Sequence, residues 1–423
     1  MMLSRVLCLF SAGLLLAQSP DPAGTARKAL DLLLSEKYAD LEQMITPAYR
    51  EHATVADFTK LGTQIKTWGA VEEIGKPSVQ DMGPVSVVVI PVKFATRTID
   101  VQMSVNPSGQ VSPPLLRPGE IPWQPPAYVK QGAYKERAVT IGDEWKLPGS
   151  LTVPSGAGPF PAVVLVHGYG PNDRDETVGG TKMFRDLAYG LSSRGIVVLR
   201  YEKRTRQYSA RMAGGTSYTA DNEVIEDAVK AIAVLRSQPE VDGKRVFALG
   251  HDLGGYLLPR VGAEDGKLAG LILMASNERP LEDLILEKVI EANPPAQQLG
   301  QAKDRVAKIK KLEASDEEAP AMLGLPVAYW LDLKGYDAAA ALKKLAIPAL
   351  VLQGERDFQT TMTDFGLWKQ AVSGMKGSMA QSYPALNHLF VTGQGKSTEA
   401  EYRTPGHVAP EIIDVSAKFM GGQ

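Results

Sequence analysis

One cysteine stands in 423 residues, and it is Cys8, close to the amino terminus. A lone thiol closes no disulfide within the chain and builds no Cys-x-x-Cys metal or redox motif. An excess of either charge is equally lacking, because 46 Lys and Arg stand against 48 Asp and Glu and leave a formal net charge of −2. The basic residues are scattered, so no nucleic-acid partner is expected. Histidine occurs five times without metal-ligand spacing, and there is no phosphate-binding glycine loop and no G-x-G-x-x-G fingerprint. No cofactor and no metal are expected. Past the amino terminus no stretch approaches the roughly 20 apolar residues of a membrane span. A further absence governs the chemistry: Gly-x-Ser-x-Gly occurs nowhere in the chain.

What is present reads as an exported protein of two domains. Residues 1–17 combine Arg5 with an apolar run through Leu14, Leu15 and Leu16 to the small Ala17, the pattern of a secretory signal peptide. Cys8 lies inside that segment, so the mature product would hold no thiol. It is expected to be soluble and periplasmic or extracellular. In residues 20–112 apolar residues first recur at helical spacing, as in Phe58, Leu61, Ile65 and Trp68. They then alternate strictly with polar neighbours at Ile99, Val101, Met103 and Val105, as in a half-buried strand. This predicts a small α+β domain with its helices first. Residues 113–128 contain PPLLRPGEIPWQPP, with six prolines, which favour extended chain and mark a linker.

Residues 129–423 alternate short apolar runs with helical stretches, the pattern of a mostly parallel sheet covered by helices on both faces. Strands are predicted at 162–166, 196–200, 246–249, 268–274, 349–353 and 379–383. A helical insertion at about 281–345 separates the fourth from the fifth and is expected to cap the pocket.

The run VFALGHDLGGYLL sets Asp252 between an apolar strand and a helix, the context of a nucleophile elbow, with glycines at 250 and 254 allowing close approach. In such a layout an acid and a histidine follow the nucleophile in chain order. Asp357 follows the strand ALVLQGER and His388 follows the last strand in SYPALNHLF. His52 is in the other domain, His167 precedes a glycine-rich loop, His251 flanks the elbow residue, and His407 in TPGHV reads as structural. Backbone N–H groups for a developing oxyanion are expected at Leu253, after the elbow, and at Tyr169 in VLVHGYGPNDRDE. The lesser alternative is that HGYG is only a turn and the DRD charges a solvated loop. Ser373 and Lys376 match a Ser-x-x-Lys string but lie among small polar residues between a helix and a strand.

Several segments, among them FRDLAYGLSSRGIVVLRYEKRT, RPLEDLI, YWLDLKGYD, LQGERDFQ and YPALNHLF, resemble those of secreted bacterial esterases with the α/β-hydrolase fold. Residues 22–110 resemble the small α+β domain that often precedes them. The resemblance implies a carboxylic-ester hydrolase acting on a small molecule, with Asp252, Asp357 and His388 as catalytic residues and Tyr169 and Leu253 as oxyanion donors. Such esterases usually have serine where Asp252 stands, and a carboxylate cannot be activated by proton removal as a hydroxyl is. Three readings follow. The first is acyl hydrolysis through Asp252 or through water driven by His388. The second is attack by Asp252 on the sp3 carbon of an epoxide or haloalkane, with Tyr329 and Tyr336 offered as donors. The third is a silent binding protein that has lost its serine.

Overall fold

A computed structural model describes residues 21–119, 123–213, 217–316 and 321–422. The segment expected to be a signal peptide lies outside these residues. The chain separates into two compact units, one ending at Pro122 and the other beginning at Trp123.

In the first unit the helices Pro22–Leu34, Tyr38–Met44 and Val55–Lys66 precede five antiparallel strands. Local chemistry sets the helix starts: the Asp21 carboxylate accepts from the N–H groups of Ala23 and Gly24, and Thr54 and Asp57 form a reciprocal capping box. Strands Ser86–Phe94 and Thr98–Val105 pair in register from Ser86 opposite Val105 to Lys93 opposite Thr98. Their period-two pattern sends Val88, Ile90, Val92, Phe94, Ile99, Val101 and Met103 to one face, where they bury against Leu30, Leu33 and Phe58. The proline-rich stretch differs from a plain linker. Leu115–Pro118 is a strand on the outer side of Thr98–Val105, with Pro118 opposite Ile99. A proline is tolerated there because an edge strand leaves one row of N–H groups unpaired in any case.

The second unit is built on eight strands, numbered here within that unit: β1 Tyr134–Ile141, β2 Leu147–Pro154, β3 Phe160–Val166, β4 Val197–Tyr201, β5 Val241–His251, β6 Gly270–Met274, β7 Ala349–Gly354 and β8 Met379–Tyr383. Their spatial order is β8-β7-β6-β5-β3-β4-β2-β1. Strands β1 and β2 join antiparallel and every pair from β4 to β8 is parallel. The central strands are buried on both sides, which is why they read as unbroken apolar runs. Val164, Val166 and Ala248 face the helices Glu226–Arg236 and Leu253–Asp265, whereas Val163, Leu165 and Leu249 face Met183–Ser192 and Pro410–Phe419.

Between β6 and β7 the insertion folds as helices Leu281–Glu291, Ala296–Lys311, Val327–Leu333 and Ala338–Leu345. Leu281, Ile309, Val327 and Trp330 join the same apolar cluster as one face of the sheet, so the insertion is a packed layer rather than a loose appendage. The parallel strands place the carboxyl ends of β3, β5, β6 and β7 along one rim, where an open α/β sheet leaves its ligand crevice.

Candidate active site

Asp252 sits where β5 turns into the helix Leu253–Asp265, with φ 50 and ψ −121. That ψ lies outside the left-handed helical well, so the tolerance of aspartate for left-handed backbone does not account for it. Such a conformation costs on the order of 1–3 kcal/mol and persists only where the surroundings over-determine it. Here they do. A Cβ on Gly250 would come within 2.5 Å of the Gly254 carbonyl carbon, and one on Gly254 within 2.3 Å of the Val166 oxygen. The Asp252 N–H also donates to Met274 O at 3.0 Å. The turn therefore holds the Asp252 side chain at the rim, between the ends of β3 and β6.

The loop after β3 approaches that side chain directly. The backbone N–H of Tyr169 donates to Asp252 Oδ2 at 2.9 Å, and a Cβ on Gly168 would lie 2.9 Å from the same oxygen. Gly168 is held through both its N–H and its carbonyl, the latter being the oxygen of the Gly168–Tyr169 peptide. Glu176 Oε1 accepts from the Gly168 N–H at 2.8 Å, the buried Lys203 donates to Gly168 O at 2.9 Å, and Asn172 Nδ2 donates to the same carbonyl at 3.1 Å. With its carbonyl engaged on one side, the peptide points the Tyr169 N–H at Asp252. Leu253 is the first residue of its helix, so its N–H is among those a helix leaves without an internal acceptor.

At the other side of the rim His388 Nδ1 lies 2.8 Å from Asp357 Oδ2. Asp357 also receives Gln353 Nε2 at 3.0 Å and, on Oδ1, the N–H groups of Gln359 at 2.7 Å and Thr360 at 3.0 Å. These donors fix the carboxylate, and the carboxylate fixes the tautomer in which Nδ1 of His388 carries hydrogen. Among the described residues no hydrogen bond engages His388 Nε2, so that nitrogen keeps a lone pair for a proton.

Two features carried no signal in the sequence. His251 is buried behind the rim, its ring 4.5 Å from the His388 ring, with Nε2 3.0 Å from the His388 backbone oxygen and Nδ1 3.1 Å from Glu176 Oε1. Burial opposes charge on this ring, but Glu176 and, after it, Asp252 outweigh burial and raise it to about 9. The second feature is a one-turn π-helix, Asp221–Ile225, which brings the buried Glu223 to Lys203 at 3.2 Å. Tyr329, on the insertion, donates to Glu223 Oε2 at 3.0 Å, and Tyr336 donates to Tyr256 O at 3.1 Å. Both tyrosine hydroxyls offered as epoxide donors are thus spent on protein acceptors. The PNDRDE loop is not a solvated turn, because Asp175 and Glu176 are buried. His407 bonds the buried Asp186 at 3.1 Å, in a cluster with Trp123, and His52 is in the first unit. Among the described residues no group of His, Cys, Asp and Glu could hold a metal ion, and no helix is long and apolar enough to cross a membrane.

Residues 163–394 match the model of the alpha/beta hydrolase family. The chain is 39% identical over 332 residues to Esterase EstD of Thermotoga maritima, covering 78% of each protein. Among solved structures it is similar to the esterase Pf2001 of Pyrococcus furiosus, at 14% identity over 72% of this chain and 96% of that one, with a TM-score of 0.43. It is also similar to the hypothetical protein PA2218 of Pseudomonas aeruginosa, at 14% identity over 71% and 98%, with a TM-score of 0.47. With the strand order, the strained turn after β5 and the family match over more than half its length, the chain belongs to the alpha/beta hydrolase family.

Proposed function

We propose that this protein hydrolyses carboxylic esters of small molecules by general-base catalysis, with His388 taking a proton from water and Asp357 holding the imidazolium that forms. The observation that carries the reading is the Asp357–His388 pair beside the elbow, in a chain 39% identical to an esterase over 78% of its length. Asp252 does not serve as an acyl nucleophile here. Its attack would give a tetrahedral adduct able to expel either alkoxide or Asp252, and the carboxylate is by far the more stable leaving group. Water attack avoids that dead end. The elbow carboxylate nevertheless slows the reaction, because it occupies the Tyr169 N–H and sets negative charge where the oxyanion forms, leaving Leu253 as the remaining donor.

The test is a pair of variants assayed on short aryl esters. His388→Ala should lower kcat of the wild type by about 10²–10⁴, the usual worth of a positioned acid–base group. Asp252→Ser should raise kcat by at least about 10², since one restored oxyanion donor alone is worth 10²–10³. Wild-type turnover that is unchanged in His388→Ala would sink the proposal.

A second reading has one specific support, the bond from the Tyr169 N–H to Asp252 Oδ2. If Asp252 Oδ1 displaced a leaving group from an sp3 carbon, water deprotonated by His388 would attack Cγ of the resulting ester. Negative charge would then develop on Oδ2, against the donor already directed there. A mass shift on Asp252 in His388→Ala after exposure to an epoxide or haloalkane would mark this route. Export rests on residues 1–17 alone and is proposed on their Arg5 and apolar run; cell fractionation tests it.

A further inference from the structure

His251 is the residue through which the parts of the site touch. The loop after β3, the elbow and the loop after β8 each contribute one group to the rim, and each is bonded to a buried pair the proposed chemistry does not use. Glu176 Oε1 takes the Gly168 N–H, one residue before the Tyr169 donor. The same oxygen takes His251 Nδ1, one residue before Asp252. His251 Nε2 reaches the backbone oxygen of His388 itself. Glu176 is held at φ 47 to make its contacts, and its side chain and that of His251 are 4% and 3% exposed, so water cannot replace either partner.

Both acceptors around the ring are oxygens. A carbonyl oxygen can only accept, so Nε2 must carry hydrogen. With Glu176 ionised, Nδ1 faces a carboxylate oxygen that is already accepting from an amide, so Nδ1 carries hydrogen too. We infer that His251 is a positioning residue held as an imidazolium, and that its pair with Glu176 locks the Tyr169 donor, Asp252 and His388 in mutual register. The charged and titratable groups facing it are Glu176 from the loop after β3, Asp252 on its own turn and the His388 ring from the loop after β8. The cation also sits beside Asp252, where its charge offsets the carboxylate that stands in place of the family's serine. Loss of the proton would leave one ring nitrogen's lone pair facing an oxygen lone pair, and the loop that lost its bond would move.

The consequence for activity rests on His388 acting as the base; the charge on His251 does not. Nitrogen-15 NMR of the five histidines in the full chain tests both, with His251 assigned through its ring contacts to His388. At pH 7 both His251 ring nitrogens should show protonated shifts, converting to the neutral form only as pH passes about 9. Glu176→Gln, which keeps an accepting oxygen and removes the charge, should lower that midpoint by ~2 pH units or more. The alkaline fall in kcat on an aryl ester should follow the same midpoint in both proteins, with KM changing less than about twofold, since ground-state binding is untouched. A neutral His251 at pH 7, or a midpoint unmoved in Glu176→Gln, overturns the inference. Protonated nitrogens with kcat indifferent to the midpoint overturn the positioning role. The expected NMR result without any ester turnover would instead count against the proposed function alone.

Discussion

Two histidines stand next to each other at the ends of adjacent parallel strands, and their surroundings push their proton affinities in opposite directions. His167 follows β3 and His251 ends β5, where Gly250 pairs with Val166, and each is 2% exposed. Burial pushes His167 down to about 4, with Glu176 and Lys203 opposing one another as smaller influences. The same desolvation acts on His251, yet direct contact with Glu176 carries it to about 9. Equal burial therefore decides nothing by itself. The partner decides, because a hydrogen-bonded carboxylate at 3.1 Å compensates the cost of burying the cation. His167 has no such partner: its Nε2 is without a hydrogen bond among the described residues, and its ring packs on Phe184 and Tyr201.

The largest expected effect comes from removing the charged ring. His251→Leu strands a buried Glu176 carboxylate with only the Gly168 N–H, and loss of one member of a buried pair costs about 3–5 kcal/mol. Urea unfolding should show that loss at pH 7. A loss below about 1 kcal/mol would mean that His251 is no more charged than its neighbour. The pH dependence separates the two residues more finely. His251 is raised above its unfolded value of 6.5, so its contribution is complete below about 6.5 and fades as pH climbs through about 9. His167 is depressed, so its contribution is complete above 6.5 and fades as pH falls toward about 4. Glu176→Gln should convert His251 into a second His167. The difference in unfolding free energy between wild type and that variant should then shrink between about pH 6.5 and 9, at up to about 1.4 kcal/mol per pH unit.

The same comparison explains what was legible in the sequence. The central strands could be read because burial on both faces makes them apolar throughout, and 379–383 matches β8 to the residue. The apolar run predicts β5 only over 246–249, whereas the strand runs Val241–His251. Its first half, Asp242 to Arg245, is largely exposed and carries a register shift against β3, so no apolar pattern marks it. The strand-end positions of Asp252 and Asp357 followed from strand-to-turn patterns. Glu176 could not be found that way. Among the acids of PNDRDE nothing local marks Glu176 as the one that reaches Gly168 and His251, the latter 75 residues away, and Asp175 beside it is buried as well. His251 stands beside the elbow residue, and that adjacency, which argues against it as the base, is what brings it behind His388. Leu115–Pro118 was masked by its prolines, which an edge strand accommodates.

The smallest effect is the most discriminating. His167→Phe keeps a planar ring against Phe184 and Tyr201 and removes a group that burial holds neutral. The ring's contact with the Asp173 backbone is lost with it, and one neutral hydrogen bond is worth about 1 kcal/mol. At pH 7 the variant should therefore lie within about 1–1.5 kcal/mol of wild type, well short of His251→Leu. Between pH 6.5 and 4 the order should close and then reverse, because wild type must protonate a buried ring on unfolding and the phenylalanine variant has no such proton to bind. Parallel curves across that interval would mean that His167 shares in the charge of Glu176, and the contrast between the two strand ends would fail.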